Sequence, residues 1–151
     1  MDTRKRIRVG VIGGADPKGK WLRAAEKIGR LIATHGGILV CGGLGGVMES
    51  AAKGAKQSGG LTIGIIPGQK AQEANPYIDV PIATGMGYTR NSLVALNSDV
   101  LIAIDGQYGT LSEIAFGLIH GKKVIGLGTW NVDGIKTAST PEEAVQLAFS
   151  C

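Results

Sequence analysis

The stretch Asp99–Glu113, DVLIAIDGQYGTLSE, decides the fold. Val100–Ile104 is a short, wholly apolar run, the pattern of a strand whose sheet is covered on both faces. Asp105-Gly106-Gln107-Tyr108-Gly109 then breaks the run with two glycines, and Thr110, Ser112 and Glu113 are polar residues suited to a helix start. The spacing predicts a strand, a tight corner and a helix whose first turn holds the Glu113 carboxylate. Such a corner receives anions, because the first helix N–H groups lack intrahelical partners and the helix dipole favours negative charge there. Glycine in turn lets a ligand approach the backbone closely.

Outward from this stretch, the chain repeats the same unit. Ile7–Ile12 reads as a first strand, followed by the corner Gly13-Gly14-Ala15-Asp16-Pro17. In Trp21–His35 the apolar residues Leu22, Ala25, Ile28, Leu31 and Ile32 recur at helical spacing, and Gly36-Gly37 stops the helix behind His35. Ile38–Cys41 is a second buried strand. It runs into Gly42-Gly43-Leu44-Gly45-Gly46 and a helix over Val47–Ser58, whose packing face of Met48, Ala51, Ala52 and Ala55 is small enough to lie close to the sheet. Leu61–Ile66 is a third strand, Pro67–Asn75 an exposed loop, and Asp79–Ile82 a short fourth strand that Pro81 confines to an edge.

A helix is expected over Tyr88–Ser98, with Arg90 in its first turn. A cation there opposes the helix dipole, which either a ligand phosphate or plain solvent exposure would explain. Beyond the central strand, a helix over Gly109–His120, a strand over Lys123–Leu127 and a polar loop over Gly128–Thr137 follow. The last helix, Ser139–Phe149, opens with Thr140 as cap, Pro141 in the first position and Glu142 and Glu143 in the first turn. His35 and His120 both precede glycine at helix ends, which marks them as terminal residues rather than ligands.

Strands and helices that alternate throughout imply an α/β chain: a Rossmann-like three-layer α/β/α sandwich with a mostly parallel sheet and right-handed crossovers. Ligands of such sheets bind beyond the carboxyl ends of the strands, at the point where strand order reverses. The corners at Gly13, Gly42 and Gly106 all fall on that side.

Composition bounds the possibilities. The 151 residues are expected to form one nucleotide-binding-like domain over 1–151, and 44% hydrophobic with 19% charged residues excludes a disordered chain. Glycine, 25 residues, is in large excess and clusters where strands end. The net charge of +4 owes much to Arg4, Lys5, Arg6 and Arg8, read as a solvated lead-in to the first strand. No Lys/Arg stripe interleaved with aromatics follows, which argues against nucleic acid as a partner, while a mild positive field suits phosphorylated small molecules. Cys41 and Cys151 supply neither a disulfide framework nor a metal site, and Cys41 reads as a buried, inert thiol. With no apolar stretch near ~18 residues and no signal-peptide core, the expectation is a cytoplasmic protein without a membrane partner.

Three groups of residues together resemble the two motifs of the lonely guy phosphoribohydrolases, long misnamed lysine decarboxylases. They are Gly42-Gly43-Leu44-Gly45-Gly46-Val47-Met48, Arg90, and Tyr108-Gly109-Thr110-Leu111-Ser112-Glu113. The family patterns are a GGxxGxM corner and a PGGxGTxxE corner, and the loop Trp130–Gly134 is similar as well. Within this superfamily the short, glycine-rich chain is most similar to the molybdenum-cofactor carrier proteins and to relatives linked with DNA-processing proteins. It departs from the hydrolase motif at Asp105-Gly106-Gln107, which lacks the proline and the second glycine; this ranks binding ahead of hydrolysis.

The resemblance implies a ligand that is phosphorylated, either a nucleotide or molybdopterin, gripped at Gly13, Gly14, Gly42, Gly43, Gly45, Gly46, Met48, Gly106, Gly109 and Thr110. As a carrier, the protein would hold a pterin phosphate at these corners, with Arg90 and the Lys70 loop adding positive charge. As a hydrolase, Arg90 and Glu113 would be the catalytic pair, cleaving the N-glycosidic bond of a nucleoside 5′-monophosphate. Gly45, Gly46, Gly109 and Thr110 would then hold its phosphate. A nucleotide sensor would use the same pocket. The family likewise implies a homodimer or homotetramer, with the helix at Tyr88–Ser98 as a possible contact.

Overall fold

The computed structural model describes residues 6–151. Its elements are β1 (Arg8–Gly13), α1 (Gly19–Thr34), β2 (Ile38–Cys41), α2 (Val47–Gln57), β3 (Thr62–Ile66), β4 (Val80–Ala83), α3 (Asn91–Leu96), β5 (Val100–Ile104), α4 (Tyr108–Ile119), β6 (Lys123–Leu127), β7 (Lys136–Thr137) and α5 (Pro141–Phe149). All strands pair in parallel in the order β4-β3-β2-β1-β5-β6-β7. The chain therefore builds one half of the sheet outward from β1 and then returns to lay β5 against β1's other edge. Strand order reverses between β1 and β5, so a crevice opens above their carboxyl ends.

The alternation of side chains along the strands divides the core in two. Val9, Val11, Val100, Ile102 and Ile104 pack with buried residues of α1, α2 and α5, among them Ile28, Ala51 and Ala144. Ile12, Leu101 and Ala103 face the other way and pack with Val94 and Ala95 of α3 and Ile114 of α4. This is the three-layer sandwich expected, with strands apolar on both faces because both are covered. Full burial of a side chain such as Ile102 contributes roughly 1.5–3 kcal/mol.

Several sequence expectations are corrected. The small residues of α2 serve an approach to α1 as much as to the sheet: a Cβ at Gly29 would lie 1.9 Å from the Ala51 carbonyl oxygen, and one at Gly54 1.9 Å from that of Glu26. The two helix backbones therefore touch where both glycines stand. The helix expected over Tyr88–Ser98 is a 3-10 turn (Gly87–Arg90) followed by the short α3. The polar loop after β6 contains β7, two residues that pair with Ile125 and Gly126 and are too short to leave a pattern. The Pro67–Asn75 loop holds a 3-10 turn at Ala71–Glu73 and ends in a buried Asn75, which donates to the Gly43 and Leu44 carbonyls at 2.8 and 2.9 Å.

Of the basic lead-in, Arg4 and Lys5 lie outside the described residues. Arg6 is not simply solvated, since its guanidinium donates to the carbonyls of Gly36 and Gly37. Pro81 does sit in the edge strand β4, Thr140 does accept from the Glu143 N–H at 3.1 Å, and His35 and His120 do end α1 and α4. Cys41 is fully buried, as expected, and burial pushes its thiol up to about 12, away from the thiolate form. Among the described residues no helix is long and apolar enough to cross a membrane.

Candidate functional site

The corner after β5 carries an unusual backbone conformation. Asp105 has φ +51°, the one non-glycine residue with positive φ among those described. Aspartate tolerates this region better than most residues, yet it persists only where neighbours hold it. Here the loop after β6 does so: Thr129 Oγ1 donates to the Asp105 carbonyl at 2.6 Å, and Trp130 Nε1 donates to the Gln107 carbonyl at 3.0 Å. Helix α4 then starts at Tyr108, and its first intrahelical acceptor, the Gln107 carbonyl, is taken by Leu111 N–H. The N–H groups of Tyr108, Gly109 and Thr110 therefore have no partner within the helix.

The β1 corner locks the start of α2. Val47 N–H donates to the Gly14 carbonyl at 3.0 Å, and Gly46, at φ +68°, lies so close that a Cβ there would stand 2.3 Å from the same oxygen. Only glycine satisfies both demands. Gly42 and Gly43 are buried beneath the loop, and their carbonyls accept from Arg90 Nη2 at 3.5 Å and from Asn75 N–H at 2.8 Å.

Above the β1 and β5 ends lies a cleft of about 520 Å³. It is walled by Gly13 and Gly14, by Gly106, Gly109 and Thr110, by Met48, and by Arg90 and Glu113. Gly42, Gly43, Gly45 and Gly46, in the corner before α2, are not among its lining residues, and neither is Lys70. Sequence reasoning missed the other lining residues Ala15, Asp16, Leu44, Tyr88, Asn91, Asp105 and Gln107. Asn91 is the most consequential, since its buried side chain accepts from Arg90 Nη1 and donates to Ser112 Oγ at 3.1 Å and to the Gly109 carbonyl at 3.4 Å. Its adjacency to Arg90 was the available signal.

Arg90 is not in a helix's first turn facing an adverse dipole. It closes the 3-10 turn, is 7% exposed, and gives Nε to the Ile65 carbonyl at 3.0 Å as well as reaching Gly42 and Asn91. Carbonyls at the ends of β2 and β3 thus satisfy the charge that seemed misplaced in sequence, and part of the donor fork remains unengaged. Burial lowers its pKa, with the Glu113 charge working against that. Glu113 sits in the second turn of α4, not the first, so it caps nothing. It is 7% exposed, and among the described residues its carboxyl forms no hydrogen bond. Burial pushes it up to about 8, Arg90 pulling the other way, so the group is mostly protonated at neutral pH.

The model of the SLOG cluster4 family matches residues 6–150. The chain belongs to that family. A protein from Archaeoglobus fulgidus is 46% identical over 147 residues, 97% of each chain. The solved structure of the molybdenum cofactor binding protein from the phototrophic bacterium Rippkaea orientalis superposes with a TM-score of 0.90 at 37% identity, covering 95% of this chain and 96% of that one. A cytokinin riboside 5′-monophosphate phosphoribohydrolase of Mycobacterium tuberculosis is 31% identical over 126 residues, 76% of this chain and 67% of the enzyme. The family, the Rossmann-like fold and the resemblance to both the lonely guy and molybdenum-cofactor proteins stand together.

Proposed function

We propose that this chain, as one domain, is a binding protein for a phosphorylated small molecule, with molybdopterin as the leading ligand and a nucleotide as the alternative. The observation that carries the reading is the cleft at the β1/β5 reversal, where Gly109 and Thr110 offer free helix N–H groups beside Gly14 and Gly106. Its volume falls within the ~300–1,000 Å³ of pockets that enclose small organic ligands. Met48 and Leu44 supply apolar wall, and Arg90 keeps donors for an oxyanion. Support for molybdopterin comes from the structural likeness to the Rippkaea orientalis protein.

A second reading, phosphoribohydrolase activity, is favoured by one fact: Arg90 and Glu113 face the same cleft. In that reaction water adds to the anomeric carbon, the N-glycosidic bond breaks, and the base leaves with a proton. A carboxyl held protonated by burial is suited to donate it. The two readings separate in one experiment. Purified protein is titrated calorimetrically with molybdopterin and with nucleoside monophosphates, and free base is followed by chromatography for wild type and Glu113→Gln. Binding without base release supports the binding protein; base release abolished in the variant supports the hydrolase; neither binding nor release refutes both. A homodimer or homotetramer is part of the same proposal, supported by the half-exposed Leu96 on α3 and checked by light scattering.

A further inference from the structure

Beside the cleft, and sharing Tyr88, Asn91, Gln107 and Gly109 with it, lies a second hollow of about 450 Å³ whose wall adds Tyr108 and Ser112. Two of the three tyrosines of the chain meet there, and both are strongly exposed, Tyr88 at 87% and Tyr108 at 77%. Large aromatic rings are ordinarily used to bury area. Tyr88, and the side of Tyr108 turned away from Trp130, are left to solvent at the mouth of a binding cleft. Tyr108 is also held in position: its ring lies 5.7 Å from that of Trp130, tilted by 34°, and Trp130 is fixed by its hydrogen bond to the Gln107 carbonyl. An exposed ring with a rigid backing is a preorganised platform.

The polarity of the hollow narrows what it receives. No lysine or arginine lines it, so it is unsuited to a second phosphate; its polar side chains are neutral, with the exposed Gln107 amide open to a ligand while the Asn91 amide and Ser112 hydroxyl protons are already given to Ser112 Oγ and the Gly109 carbonyl. Flat π faces with a few neutral polar groups at their edge suit a planar nitrogen heterocycle. We propose that Tyr88 and Tyr108 seat the heterocyclic ring of a ligand whose phosphate occupies the α4 corner, an assignment that rests on the phosphate reading above and sets the ligand class as a phosphorylated pterin or nucleobase. Tyr88, common to both hollows, stands at the junction between phosphate and ring.

The test compares GMP, whose guanine shares the amino-oxo-pyrimidine edge of pterins, with ribose 5-phosphate, which has the phosphate and no ring. Both are titrated calorimetrically into wild type, Tyr88→Ala, Tyr108→Ala and the corresponding Phe variants. The expected result is tighter binding of GMP than of ribose 5-phosphate in wild type. Each Ala variant then loses on the order of tenfold for GMP alone, the scale of removing one stacked ring, and the Phe variants retain it. Equal binding of the two probes, unchanged in the Ala variants, overturns the ring seat and leaves the phosphate site standing. Binding of neither probe overturns the phosphate reading and the seat with it. A loss that is the same for both probes also overturns the seat, since it shows that the tyrosines shape the corner rather than contact the ring.

Discussion

Replacing Glu113 by glutamine tests the electrostatics of the cleft without any ligand. Glu113 is 7% exposed, its carboxyl open only to the cleft and unbonded among the described residues, and its pKa is raised from 4.5 to about 8, so the folded chain holds a proton that the unfolded chain releases. At ~1.4 kcal/mol per pH unit the ionised side chain costs the fold up to roughly 5 kcal/mol. The direction follows from proton counting. Below pH 4.5 both states are protonated and the penalty is absent; between 4.5 and about 8 stability falls as pH rises; above about 8 the whole penalty is present. Glutamine has the same shape and never ionises. In urea titrations followed by the fluorescence of Trp21 and Trp130, Glu113→Gln should match wild type near pH 5 and exceed it by several kcal/mol at pH 9. A gap independent of pH, or a variant less stable at pH 9, would show that Glu113 is ionised in the fold, held by Arg90 more strongly than burial opposes it.

Three further substitutions probe the frame. Gly54→Ala places a methyl 1.9 Å from the Glu26 carbonyl oxygen and should cost about 1–3 kcal/mol in urea unfolding as α1 and α2 are pushed apart. Arg90→Lys cannot reproduce the bonds to the Ile65 and Gly42 carbonyls and should destabilise by roughly 1.5–3 kcal/mol even without ligand; an unchanged midpoint would mean that Arg90 has no structural part. Thr140→Ala removes the acceptor for the Glu143 N–H and should lower stability by about 1 kcal/mol, with Thr140→Ser restoring it.

The centre of the sheet was legible because β1, β2, β5 and β6 are apolar runs separated by glycine corners, the pattern of a parallel sheet covered on both faces. The limits of β2, β5 and β6 could be read to the residue for that reason. Short elements carry no such period: β7 is two residues long, and the Gly87–Arg90 turn is indistinguishable in sequence from the helix that follows. Arg90 and Glu113 were visible as a pair through motif resemblance, and the fold does bring them to one cleft. What could not be read was their surroundings. Whether a guanidinium meets solvent, phosphate or strand-end carbonyls depends on residues 25 and 48 positions away, Ile65 and Gly42. The same holds for Gly42 and Gly43, which are buried, their carbonyls accepting from Arg90 and Asn75.

The reversal of strand order between β1 and β5 also fixes which parts of the molecule can loosen independently. Each of these central strands is flanked by a partner on both sides, whereas β4 and β7 each pair along one edge only and are largely exposed. Amide hydrogen exchange should therefore be fast at Val80–Ala83 and Lys136–Thr137 and slowest at Val9–Ile12 and Leu101–Ile104. The glycine walls hang directly from the slow strands. Fraying at either margin leaves the cleft assembled, so a bound ligand should slow exchange chiefly through the global opening and scarcely alter the margins.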